Sequence, residues 1–166
     1  MSQPAPTRND TIEFSRRTRS NFEFIEKTKS GDPTAPVYAV TQLTLSLLGI
    51  VVFPYERIDH PRILAKTVDE MMTEGWFGWS VILDCPKKGR SRTNTLRDLL
   101  FHLRNAVAHG RLTFSSDSAR IADVVVTAED QPNSEGAVVN WRAEITGPAL
   151  KHFCLSFLQF VDGLVG

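Results

Sequence analysis

Residues 103–110 read LRNAVAHG, an arginine and an asparagine followed by three small apolar residues, a histidine and a glycine. Histidine is the side chain suited to general acid–base work near neutral pH, so His109 is a candidate proton carrier. Arg104 offers a permanently charged planar fork that fits the non-bridging oxygens of a phosphate. Charge developing against a prepositioned cation is often the largest catalytic contribution. Asn105 could orient the imidazole or bind phosphate. The same residues also make an ordinary helix end: a histidine in the last turn gains from the helix dipole, glycine after it is a usual C-cap, and Arg104 could snorkel from the core edge.

The positioning element is a helix. Thr95, with Asp98 three residues on, gives a capped start, and Gly110 marks the end. Leu96, Leu99, Leu100, Leu103 and Val107 form one apolar stripe. At about 100° per residue, Asp98, His102, Asn105 and His109 share a polar face, and Arg104 stands roughly 140° around from His109. The two bracket the stripe rather than meeting within one straight helix. If two copies packed about a twofold axis, residues flanking the stripe would converge across the seam.

Around this helix the sequence predicts others. One starts near Asp10 and runs to about Ser30, with Arg16, Arg17 and Arg19 along one side. A second, over about 35–53, is apolar almost all round and is expected to be the most buried element. A third begins near Pro61, carries Leu64, Val68, Met71 and Met72 at helical spacing, and closes at Gly75. WFGWSVILDCPKKGRSRTN then reads as an aromatic core segment, with Trp76, Phe77 and Trp79, leading into a basic loop. RLTFSS, IADVVVTAED and VVNWRAEIT read as three strands. A last helix follows Pro148. The expected fold class is mainly α: a helical bundle with a small β insertion before the C-terminal helix. A single domain over 1–166 is expected, with 1–10 as a flexible tail.

Nineteen basic and nineteen acidic residues cancel, so bulk charge selects no partner and any nucleic-acid surface must be local. Lys87, Lys88, Arg90 and Arg92, with Arg97 and Arg111 nearby, form the one concentration of basic residues beside the motif. His102 is a candidate second proton carrier or a plain surface histidine. Two distant cysteines, Cys85 and Cys154, suit a reducing cytoplasm. MSQPAPTRND lacks a signal-peptide core, so no export is expected. Residues 33–55 carry no charge, but their continuous apolar part is too short to cross a bilayer. No Walker spacing appears, and His60, His102, His109 and His152 lack zinc-like spacing, so no cofactor and no metal are assigned.

RNAVAHG resembles the R-x(4–6)-H signature of the HEPN superfamily (higher eukaryotes and prokaryotes nucleotide-binding), with Arg104 and His109 at its two defining positions. YAVTQLTLSLLGIVVFPYER, NFEFIE, RNAVAHGRLTF, IADVVVTAED and NWRAEI resemble a bacterial, partly plasmid-borne HEPN subfamily. The likeness runs from about residue 20 to the last helix. It implies a HEPN-like helical bundle that forms a homodimer through the motif helix and acts as a metal-independent endoribonuclease. Several such proteins are toxins or phage-defence effectors, some paired with a separate antitoxin chain.

On that resemblance Arg104, His109 and Asn105 are the catalytic candidates, and RNA is the partner. His102, Arg97, Arg111, Lys87, Lys88 and Arg90 are candidate RNA contacts. RNA supplies its own 2′-hydroxyl nucleophile, so cleavage would leave a 2′,3′-cyclic phosphate and a 5′-hydroxyl, and DNA should survive. Two other readings stay open: a non-catalytic module that binds RNA or a nucleotide, and a protein-interaction subunit.

Overall fold

The structure, a computed structural model, describes residues 8–32, 34–35, 38, 40–42, 44–46, 49, 65–85, 92–116, 121–132 and 137–165. Lys87, Lys88 and Arg90 of the expected basic loop, with His60 and Leu64, lie outside the described residues. Helix α1 spans Arg8–Gly31 and α2 spans Val68–Thr73. They are followed by β1 (Ser80–Asp84), α3 (Leu96–Ala108), β2 (Leu112–Phe114), a short 3-10 turn (Ile121–Asp123), β3 (Val125–Asp130), β4 (Trp141–Thr146) and α4 (Gly147–Val165).

The four strands make one antiparallel sheet in the order β1-β4-β3-β2. This overturns the expected helical bundle with a small β insertion. The three expected strands are present, but the fourth, SVILD, precedes the motif helix in sequence. It pairs with β4, Val81 opposite Ala143 and Asp84 opposite Trp141, with a register shift between Val81 and Leu83. Its apolar run follows three aromatic residues, which masked it as more core segment leading into a loop. Because β1 and β2 flank α3 in sequence yet occupy opposite edges, α3 crosses the sheet from one side to the other. The sheet is therefore a main layer of an α+β arrangement.

One sheet face is dry. Val126, Ala128 and Asp130 of β3 and Trp141, Ala143 and Ile145 of β4 are all buried, as period-two alternation requires. The other face is half-exposed and carries cross-strand polar pairs such as Arg142 with Glu129, Nε to Oε1 2.7 Å. The α3 stripe (Leu96, Leu99, Leu100, Leu103 and Val107) joins the dry face in a single core with Trp76, Trp79 and the inner side of α4. Trp76 and Trp79 are thus core residues, as the sequence suggested.

Two capping boxes start the central helices. Thr95 Oγ1 accepts from the Asp98 backbone N–H while Asp98 Oδ2 accepts from the Thr95 N–H, 3.1 Å. Thr67 and Glu70 repeat the arrangement on α2. The described part of the expected third helix begins at Val68, after the Thr67 cap, and its expected start near Pro61 lies outside the described residues. Met72, expected on its apolar side, is 59% exposed. Among the described residues of the uncharged second segment, 40–42, 44–46 and 49 are helical, and Leu45, at 54% exposed, departs from the expected full burial. No helix among the described residues is long and apolar enough to cross a membrane.

Candidate active site

Burial of the leucine stripe fixes the rotation of α3 about its axis. His102 and Asn105, three residues apart, consequently face the C-terminal end of β3. There the alternation Val126, Ala128, Asp130 sets an acid where an apolar residue would continue the pattern. Asp130 Oδ2 receives both neighbours: His102 Nδ1 lies at 2.8 Å, and Asn105 Nδ2 donates at 3.1 Å.

Burial, the largest single influence on Asp130, pushes its carboxyl up. The hydrogen bonds from His102 and Asn105, the attraction of His102 and the Gln131 backbone together outweigh it and leave the group below the ordinary aspartate value. Asp130 is thus a buried anion held by its donors. Since a carboxylate only accepts, His102 carries a proton on Nδ1.

The imidazole of His102 stacks on the Trp141 indole, centroids 4.7 Å and planes 8° apart, and meets the Phe101 ring edge-on. Trp141 Nε1 donates to Thr93 Oγ1 at 3.0 Å, and the Thr93 N–H donates to Asp84 Oδ2 at 2.8 Å. The surface-histidine reading of His102 is corrected here: its side chain is 14% exposed and is held on several sides.

Asn105 joins the two signature residues. Its side-chain Oδ1 accepts from Arg104 Nη1 at 3.2 Å, and its main-chain oxygen accepts the His109 N–H at 3.0 Å. His109 is the C-cap, with an exposed side chain, and Gly110 follows at φ 64°, the left-handed conformation that ends α3. Arg104 is half-buried. The apolar stripe lies in the protomer's own core, so it cannot also be the seam between two copies.

Among the remaining candidates, Arg97 is exposed on the first turn of α3. Arg111 is tied back to the sheet, its Nη1 donating to the Gln131 carbonyl at 3.3 Å. Arg92 is exposed. Cys154 is buried, which pushes its thiol up to about 12 and leaves it unreactive. No group of three or more His, Cys, Asp or Glu suited to a metal occurs among the described residues. Sequence reasoning missed Asp130, Trp141 and Thr93. The available signal was the acid closing the alternating run VVVTAED.

A family model described as HEPN pEK499 p136 matches residues 1–164. The chain belongs to this HEPN family. HEPN domains are generally nucleases or RNA-binding modules, and they often dimerise. In this HEPN protein Arg104 lies on α3 and His109 caps it, while Asp130 and Trp141, which hold the neighbouring His102 and Asn105, come from the sheet. No curated protein and no solved structure matches the chain.

Proposed function

We propose that this HEPN domain is a metal-independent endoribonuclease, with Arg104 and His109 as its principal catalytic residues. The observation that carries the reading is the hold of one asparagine on both. Asn105 anchors the Arg104 guanidinium through its side chain and the start of the His109 cap through its backbone. The 2′-oxygen of an RNA ribose attacks the adjacent phosphorus, and the bond from phosphorus to the 5′-oxygen breaks. An imidazole of His109 takes the 2′-hydroxyl proton, and a second acid returns one to the 5′-oxygen. Arg104 neutralises the non-bridging oxygens as charge builds on them.

Two copies related by a twofold axis would supply both proton carriers from the same residue, His109. With the leucine stripe committed to the core, the seam would run along the α3 line Arg97, Phe101, Arg104 and Ala108. The exposed Arg97 and Arg92 would meet the RNA backbone, a contact that weakens steeply with salt.

The test is incubation of the purified protein with mixed RNA in EDTA, beside His109→Ala and Arg104→Ala, followed by chemical identification of the new 3′ ends. Cyclic-phosphate ends made by the wild type and lost in both variants are expected. RNA that stays intact, or is cut equally by all three proteins, overturns the reading in favour of a non-catalytic RNA- or nucleotide-binding module.

A further inference from the structure

We infer that Asp130 is a positioning residue for Arg104, acting through the side-chain amide of Asn105. The inference rests on the proposed role of Arg104 as the phosphate-binding cation, and it gives the β-sheet a part in that site. An asparagine amide can turn over, presenting either its oxygen or its NH2 group to a neighbour. Beside a guanidinium only the oxygen is useful, because arginine has donors and no acceptor. Asp130 removes the ambiguity. As an acceptor-only group it draws Nδ2 of Asn105 toward the sheet, 3.1 Å away, which leaves Oδ1 turned to Arg104 Nη1 at 3.2 Å.

Asp130 is itself immobilised. His102 occupies the same carboxylate oxygen at 2.8 Å, and the His102 ring is backed by Trp141, a fully buried residue of β4. A line of fixed groups therefore runs from the core strand to the guanidinium. A cation held in this way is set before the reaction and needs no reorganisation as charge develops. The acid's own charge does not spoil the site, because it is spent on His102 and Asn105 on the inner side of the helix.

The experiment compares full-length wild type with Asp130→Ala, Asp130→Asn, Asn105→Ala and the Asp130→Ala/Asn105→Ala double variant, each checked for folding by circular dichroism. Nitrogen-15 NMR of the arginine side chains reads the rotation of the Arg104 guanidinium, with Arg104→Ala assigning its signal. Cleavage kinetics read kcat and KM. The expected result is an Arg104 signal that is restricted in the wild type and becomes averaged in Asp130→Ala and Asn105→Ala. In parallel, kcat falls about a hundredfold with KM changed less than about twofold. The double variant falls no further than Asn105→Ala, the mark of two residues acting in series. Asp130→Asn, which keeps an acceptor oxygen, recovers part of the loss.

An Arg104 signal unchanged by Asp130→Ala, or losses in kcat that multiply in the double variant, overturns the inference. If Asp130→Ala does not fold, Asp130→Leu, which fills the buried site without an acceptor for Asn105, carries the same comparison. If wild type leaves RNA intact, or cuts it regardless of Arg104→Ala and His109→Ala, the ribonuclease reading falls, while the guanidinium signal still decides for or against Asp130.

Discussion

The imidazole of His102 lies flat on the indole of Trp141, with planes 8° apart and centroids 4.7 Å apart. The pair joins the motif helix to β4, an inner strand of the sheet, so its loss should be felt in both. Trp141→Ala empties a fully buried site and should cost about 3–5 kcal/mol. Trp141→Phe keeps a ring for the stack but loses the bond to Thr93, a loss of about 1 kcal/mol beyond the volume change. Urea unfolding of the two variants should rank them in that order.

Acid should weaken the fold through Asp130. Its carboxyl is held below the ordinary aspartate value in the folded chain, by its hydrogen bonds in spite of burial. A depressed folded value means that the contribution to stability is complete above the unfolded value. It is lost as pH falls through the folded one. Urea midpoints measured from about pH 5 down to about pH 2 should therefore decline, and Asp130→Asn should flatten part of that decline.

Gly110 makes a sharper test of the helix end. It sits at φ 64° with open space where a side chain would go, so substitution meets backbone strain and no clash. Gly110→Ala should cost about 1–2 kcal/mol, and Gly110→Asn less, because asparagine tolerates the left-handed region. As His109 directly precedes it, Gly110→Ala should also slow RNA cleavage, whereas Gly110→Asn should recover both melting temperature and rate.

At the opposite end of α3, Thr95→Ala removes the hydroxyl from the capping box with Asp98. The expected cost is about 1 kcal/mol of stability, read as a lower melting temperature. Cleavage by the folded fraction should be unaltered, because this cap lies more than two turns from Asn105. A selective fall in kcat would show the two ends of the helix to be coupled.

Much of α3 was legible in the sequence. The Thr95 and Asp98 spacing, the leucine stripe and Gly110 are local signals, and each marks the feature expected of it. The pairing of His102 and Asn105 on one face followed from helix period alone. Their shared partner did not, because Asp130 lies 25 residues beyond Asn105 and reaches it only through sheet register. β1 was hidden for a related reason: SVILD is too short and too apolar to declare its period, and its partner β4 comes after the motif helix. HEPN-like segments encouraged the expectation of a bundle, yet the strands arriving from both sides of α3 make the sheet a full layer.

The strand order also sets a timetable. β4 lies between β1 and β3, but it is the last of the four strands to be synthesised. Until residues 141–146 have emerged, β1 has no neighbour to pair with, and His102 lacks the indole it rests on. A nascent chain halted just short of Trp141 thus holds the complete R-x(4)-H signature on an unbraced helix. Closing the sheet depends on contacts distant in sequence, which form late and slowly. The motif is written ahead of the strand that braces it, and the scaffold that orders it is complete only once residues 141–146 have joined the sheet.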